Sequence, residues 1–220
     1  MKLVIFDMDG TIVDSVALLI EAVNAAFDGL GQAIPEDKVI RSISGLNLDI
    51  GMSILAPDAD DARVFELAAS YKNEYLSRVT ATLREPLFPG ADDVLNALAK
   101  RDDTLLAVAT GKESRGAHRV LNTHDLVPLF TSIQTPDTNL SKPNPEMIYS
   151  AMSAVGVEKM RTVMIGDTNH DIEMAVNAGV PSIGVSWGFH EVDELEAAGA
   201  HAIIDDYGDM IETIDRLLGN

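Results

Sequence analysis

The chain contains no cysteine. Disulfides, thiolate metal sites and a cysteine nucleophile are therefore excluded, and the composition is compatible with a reducing compartment. Positive charge is scarce: 16 Lys and Arg stand against 35 Asp and Glu, a formal net charge of −19. A surface this acidic repels phosphate backbones and anionic membranes, which argues against a nucleic-acid partner. No uninterrupted apolar run approaches the ~18 residues of a membrane span. The stretch Met1 to Gly10 meets two aspartates at once and lacks the apolar core of a secretion signal. A cytoplasmic protein is the expectation. Internal repeats and low-complexity tracts are absent as well.

What the chain does contain is the makeup of a globular protein. Its 220 residues are 46% hydrophobic and 23% charged, enough for a sizeable core without staples. At ~150 residues per domain the length predicts one or two domains. Short, partly β-branched apolar runs recur at residues 3–6, 105–109, 163–165, 182–185 and 202–204. Each reads as a strand buried on both faces of a parallel sheet. Helical patterns lie between them. Ile148, Ala151, Met152 and Val155 fall at i, i+3, i+4 and i+7, and Ile211, Ile214 and Leu218 line one side of a last helix. The alternation predicts an α/β fold, a doubly wound parallel sheet of the Rossmann-like kind. Residues 14–85 break it. Val16, Leu19, Ile20, Val23, Phe27 and Leu30 repeat at helical spacing, as do Val64, Leu67, Ala68, Tyr71 and Tyr75. The expected organisation is a core of residues 1–13 and 86–220, with a helical segment, 14–85, inserted after the first strand. Pro86 and Pro89-Gly90 punctuate the return. Residues 191–215 carry nine acids and no Lys or Arg, which reads as a solvated helical face.

In open α/β sheets, ligands bind beyond the carboxyl ends of the strands. There the sequence puts Asp7-Met8-Asp9-Gly10-Thr11, Thr110-Gly111-Lys112 and Gly166-Asp167-Thr168-Asn169-His170-Asp171. Ser141-Lys142-Pro143 follows a further strand exit expected near Ile133. Aspartates gathered in one crevice are costly unless a cation or a proton compensates. Of Asp7 and Asp9, one carboxylate can attack phosphorus while the other trades a proton with the leaving group. In isolation such a pair reads instead as turn residues capping a helix at Asp14-Ser15. Asp167 and Asp171 are four apart and can share one side of a helix start, where capping is the alternative role. Together with Asp7 and Asp9 they make a hard-oxygen set suited to Mg2+. Thr110 offers a hydroxyl, and Gly111 a free N–H, to a phosphate oxygen. Lys142 can neutralise the nucleophile and the transferring group.

These four stretches, in this order and spacing across nearly the whole chain, resemble the four motifs of the haloacid dehalogenase superfamily. The helical insertion after the first motif is similar to the helical cap of the phosphoglycolate phosphatase and β-phosphoglucomutase branch. Val185-Ser186-Trp187-Gly188 and Asp205-Asp206-Tyr207 are similar to that branch too. The resemblance implies a Mg2+-dependent phosphatase of a small phosphorylated metabolite that works through an aspartyl-phosphate. It implies Asp7 as the nucleophile, Asp9 as general acid and then base, and Lys142 beside Asp7. Thr110 and the Gly111 amide would hold the phosphate. Asp7, the Asp9 main-chain carbonyl and Asp167 would bind Mg2+, with Asp171 as outer support. The presence of Asp9 argues against dehalogenation, because dehalogenases proper lack the second aspartate. Two other readings stand beside this one: a phosphosugar mutase of the β-phosphoglucomutase type, and a non-catalytic phosphometabolite-binding protein. Ser44, where the mutases carry a lysine before the glycine, argues against the first. The intact motifs argue against the second.

The expected specificity loop of the cap is Arg41-Ser42-Ile43-Ser44-Gly45-Leu46-Asn47. Arg41 is expected to pair with a carboxylate or second phosphate of the substrate; its alternative is an exposed arginine at a helix end. Lys112 is a second expected substrate contact. His170 is expected to face solvent, and Trp187, the single tryptophan, to pack near the site floor or against the cap. The expected partner is the metabolite alone, with no nucleic acid and no membrane, in a monomer or homodimer.

Overall fold

The structure, a computed structural model, describes residues 1–82 and 85–219. The first strand, β1 (Lys2–Phe6), is buried along its whole length. Leu3 and Ile5 enter one apolar layer, Val4 and Phe6 the other. That is the consequence of period-two alternation in a strand covered on both faces.

The chain then leaves the sheet and builds α1 (Val16–Gly29), α2 (Asp37–Ser42), α3 (Leu48–Leu55) and α4 (Asp61–Thr82). Their apolar stripes close on one another, with Val23, Phe27, Ile40, Met52 and Leu67 in a core of their own. Asn47 caps α3 by accepting from Asp49 N at 3.0 Å, the usual service of an N-cap side chain. The return runs beside the exit. Val13 bridges antiparallel to Leu87, Asp14 N donates to Pro86 O at 2.9 Å, and Phe88 N donates to Ile12 O at 3.0 Å. Residues 83 and 84, next to the expected boundary at 85, lie outside the described residues.

From there helices and strands alternate: α5 (Ala91–Ala99), β2 (Thr104–Ala109), α6 (Ser114–Thr123), β3 (Phe130–Gln134), α7 (Glu146–Val155), β4 (Thr162–Gly166), α8 (Asn169–Ala178), β5 (Ser182–Val185), α9 (Val192–Ala198), β6 (Ala202–Ile204) and α10 (Met210–Leu218). The strands form one parallel sheet in the order β3-β2-β1-β4-β5-β6. Apolar residues of α5, α6 and α10 cover one face, and those of α7 and α8 the other. This is the doubly wound α/β architecture expected from the sequence. Its strand order reverses between β1 and β4, where such sheets open a crevice for ligands. The acid-rich end is largely exposed, as expected, though Glu194 is partly covered and Asp215 is drawn in between Lys2 and Arg101. Among the described residues, no helix is long and apolar enough to cross a membrane.

Candidate active site

The register of β1 against β4 pairs Phe6 with Ile165, and Asp7 N donates to Ile165 O at 2.9 Å. Asp7 and Asp167 therefore leave adjacent strands side by side. Asp7, Asp167 and Asp171 are all buried, and one oxygen from each lies within 4.8 Å of the others. Lys142 comes from the loop after β3. Its Nζ is 2.8 Å from Asp7 Oδ1 and 2.6 Å from Asp171 Oδ1, with the lysine side chain shielded from solvent. Gly10, at φ +80°, takes a left-handed turn that other residues resist, and a Cβ there would run into the Asp167 carboxylate.

Each remaining carboxylate oxygen has a definite environment. Asp167 Oδ1 accepts from Thr11 Oγ1 at 2.8 Å and Oδ2 from Phe189 N at 2.9 Å. Asp171 Oδ2 accepts from Thr168 Oγ1 at 2.7 Å and Thr168 N at 3.1 Å, which makes it part of the capping box that starts α8. The Asp7 Oδ2 atom is buried with no hydrogen-bond partner. Burial first, opposed by Lys142 and reinforced by the Asp171 and Asp9 charges, pushes the Asp7 carboxyl up to about 7. Burial and the charges of Asp171 and Asp7 push Asp167 well above the usual carboxylate range. Burial penalises the Lys142 ammonium, yet Asp171 and Asp7 outweigh that and hold its pKa above the ordinary lysine value.

Asp9 stands apart from this group. Its Oδ2 is 3.1 Å from Lys112 Nζ, and its Oδ1 is buried without a partner. Thr110, at the end of β2, is buried, and its Oγ1 accepts from Lys112 N at 3.2 Å. Above these residues lies a cavity of about 540 Å³, walled on one side by Asp7, Asp9 and Thr110 and on the other by Ser44 to Leu48 and by Tyr71 and Tyr75 of α4. The loop after α2 comes down through its backbone: a Cβ on Gly111 would collide with the carbonyls of Gly45 and Leu46.

Of the residues singled out from sequence, the structure brings together Asp7, Asp9, Thr110, Gly111, Lys112, Lys142, Asp167 and Asp171. Asp167 and Asp171 share the crevice through Asp7 and Lys142 rather than by lining the cavity itself. Arg41 is the exception. It is half-buried in the last turn of α2, and the cavity wall begins two residues later at Ile43. The loop meets the crevice with main-chain atoms, so the arginine that precedes it is not in the wall. The arginines in the wall are Arg115 and Arg119 of α6. His170 also departs from expectation. It is half-buried rather than solvent-facing, with Nε2 3.0 Å from the Ser42 carbonyl and its ring edge-on to His190 at 5.7 Å. Trp187 does lie near the site floor: its Nε1 donates to Thr11 O at 3.2 Å, and Tyr207 OH donates to the same carbonyl at 2.8 Å.

Some site residues carry no signal in the sequence. Thr11 anchors Asp167, but a threonine after a turn glycine reads as ordinary turn chemistry. The buried Glu85 pairs with the partly exposed Arg119 beside the cavity, with distances of 2.6 and 3.0 Å. They lie 34 positions apart, and no motif in the sequence pairs them.

Comparison with known proteins is consistent with this geometry. A family model described as haloacid dehalogenase-like hydrolase matches residues 4–185. The chain is 36% identical over 218 residues to the probable phosphatase IndB of Dickeya dadantii, covering 98% of this chain and 94% of that protein. It is 33% identical over 220 residues to a phosphoglycolate phosphatase of Caulobacter vibrioides, covering 97% and 90%. Among solved structures, a hydrolase from Pseudomonas syringae superimposes with a TM-score of 0.86 at 25% identity, covering 98% of this chain and 99% of that one.

Proposed function

The chain belongs to the haloacid dehalogenase-like hydrolase family and is a phosphatase, and we propose that it releases phosphate from a small phosphorylated metabolite by way of an aspartyl-phosphate on Asp7. One observation carries this reading. Asp7 is fixed by Lys142 at 2.8 Å through Oδ1, while Oδ2 stays buried and unpartnered in the wall of the cavity. A carboxylate held by one oxygen, with the other free, is prepared to attack an electrophile.

The steps follow from the residues present. Asp7 Oδ2 attacks phosphorus in line with the bond to the leaving oxygen. Thr110 Oγ1 and the Gly111 N–H hold the phosphoryl oxygens, and Lys142 offsets the charge that builds on them. Asp9 protonates the leaving oxygen through Oδ1, then takes a proton from the water that hydrolyses the phosphoaspartate.

The donor set fits Mg2+. It offers hard carboxylate oxygens, an orphaned buried oxygen on Asp7, and two carboxyls whose pKa values are raised in the absence of a cation. Asp7, Asp167 and the Asp9 main-chain carbonyl would hold the ion. Asp171, with its oxygens taken by Lys142 and Thr168, supports from outside. When bound, the ion neutralises the gathered carboxylates and the phosphoryl oxygens.

Residues 14–85 act as a cap over this crevice and choose the leaving group. Relatives named phosphoglycolate phosphatase support a small phosphorylated metabolite as substrate. A phosphate-release screen over a panel of phosphorylated metabolites, with wild type and Asp7→Asn side by side, tests the reading. Release that depends on Asp7 is expected. Release that survives in the variant would refute the assignment.

A further inference from the structure

At the cavity wall, four separate stretches of chain meet in a polar cluster around the buried Glu85. Glu85 lies on the return from α4 to α5 and is 2% exposed. Its Oε1 accepts from Tyr75 OH of α4 at 2.8 Å and from Arg119 Nη2 of α6 at 3.0 Å. Its Oε2 accepts from Arg119 Nη1 at 2.6 Å. Even its main-chain carbonyl is occupied, with His124 Nε2 at 2.7 Å. An ion pair with a buried carboxylate is weak evidence for a purely stabilising role, and the placement of this one at the cavity wall invites a functional account.

The cluster's open end supplies that account. Lys112 Nζ is 3.8 Å from Glu85 Oε1 and 3.3 Å from Tyr75 OH, and it sits 4.7 Å over the Tyr75 ring. The face of an aromatic ring attracts an ammonium group. Behind Lys112 there is thus a carboxylate, a hydroxyl and a π-face; in front of it, at 3.1 Å, is Asp9 Oδ2. Among the described residues, Lys112 is the cation with which Asp9 pairs. With Oδ2 tied down, the Asp9 side chain is held against rotation, and Oδ1 remains as the free oxygen in the cavity wall.

We propose that Glu85, with Tyr75 and Arg119, is a positioning group that holds Lys112 against Asp9 and so fixes the oxygen that transfers protons to and from the substrate. The inference rests on the assignment of Asp9 as the general acid and base. It makes Lys112 a strut for Asp9, where the sequence pattern suggested a substrate contact. Glu85 is kept as a charged anchor for the strut: burial would push its carboxyl up, but Arg119, Lys112 and Tyr75 together leave it lowered.

The effect of such a strut depends on how much proton donation the leaving group needs. General acid catalysis contributes roughly 10²–10⁴-fold, and a misplaced acid forfeits part of that. Glu85→Gln keeps the size of the side chain and removes the charge behind Lys112. On an alkyl phosphate, whose leaving alkoxide needs a proton, kcat should fall roughly tenfold or more while KM moves by less than about threefold. On p-nitrophenyl phosphate, whose leaving group needs no acid, the loss in kcat should be clearly smaller. Tyr75→Phe, which removes only a hydroxyl, should show the same pattern more weakly and covers the case in which Glu85→Gln folds poorly. In an Asp9→Asn background, neither change should slow alkyl phosphate turnover further, because the group being positioned is gone. Equal losses on both substrates, or losses that multiply with that of Asp9→Asn, would mean that the cluster serves the fold alone and would overturn the inference. Wild type that releases no phosphate from either substrate would bring down the phosphatase reading itself. Wild type active on both, with the variants unchanged, would bring down only the strut.

Discussion

Lys142 Nζ and Asp7 Oδ1 meet at 2.8 Å in the interior, the lysine side chain fully shielded and the aspartate nearly so. A buried ion pair is most costly when one partner is lost, because the other is left charged and unsolvated. Lys142→Ala is therefore expected to do double damage, removing charge compensation during catalysis and exposing the repulsion between Asp7 and Asp171. Thermal unfolding in metal-free buffer should show a loss of roughly 3–5 kcal/mol. A variant as stable as wild type would show that Lys142 is catalytic without being structural.

Asp7→Asn should behave differently. The amide has nearly the same shape but cannot attack phosphorus, so turnover should fall by roughly three decades or more. Stability should hold, since Lys142 keeps Asp171 as its partner at 2.6 Å. The checks are steady-state phosphate release and a urea titration. A variant that keeps even a tenth of the rate is not missing its nucleophile.

Addition of Mg2+ should raise the melting temperature of the wild-type protein, because an ion that binds only the native state stabilises it by mass action. Asp167→Asn should abolish most of that shift, and EDTA should abolish activity. Ca2+ should stabilise without supporting turnover, since it is larger and accepts looser geometry. A melting temperature indifferent to Mg2+ would count against the aspartate cluster as a cation site.

The Arg41 side chain is not in the cavity wall, whereas Arg115 is. Arg41→Ala should leave kcat/KM for the best natural substrate within about twofold. Arg115→Ala should raise KM if the substrate carries a second anionic group, by roughly tenfold for a charge-assisted contact. A kinetic comparison of both variants on that substrate and on an aryl phosphate decides between them. A large effect at Arg41 alone would restore the loop's arginine as the specificity residue.

Asp215 allows a prediction on pH that is independent of the site. Arg101 donates to it at 2.8 and 3.1 Å and Lys2 at 2.8 Å. The Arg101 hydrogen bonds, opposed by burial and aided by Lys2, hold its carboxyl below the usual range. A depressed folded pKa stabilises the protein above the unfolded value of about 3.9, and the contribution is lost as pH falls through the folded value. Asp215→Asn should cost about 1–2 kcal/mol at neutral pH. The deficit should shrink below about pH 4. Urea titrations at both pH values would expose a deficit that fails to shrink, in which case packing rather than charge is responsible.

Much of the fold is legible along the chain because it depends on local pattern. Leu3, Val4, Ile5 and Phe6 can only be a strand covered on both faces, and the helical repeats of residues 16–30 and 64–75 need no partner to be recognised. The strand-end motifs are legible for a related reason: each candidate residue sits beside a turn or strand terminus whose chemistry is written in its neighbours. Asp7, Asp9, Thr110, Lys142, Asp167 and Asp171 could thus be named from spacing, and parallel register then brought them into one crevice. What only the tertiary structure decided are pairings between residues with no shared pattern. Glu85 meets Arg119, Tyr75 and Lys112, residues of three other parts of the chain, and nothing local to Glu85 announces that. His170 meets the Ser42 carbonyl because the helical segment comes down over the start of α8, beyond the carboxyl end of β4. Arg41 lies outside the cavity wall for the same reason. A loop can be located by its glycine and polar residues, but whether it enters a site by side chain or by backbone depends on how the elements carrying it are docked. Here Gly45 and Leu46 arrive carbonyl first against Gly111, and that contact is a property of two packed surfaces rather than of either sequence segment.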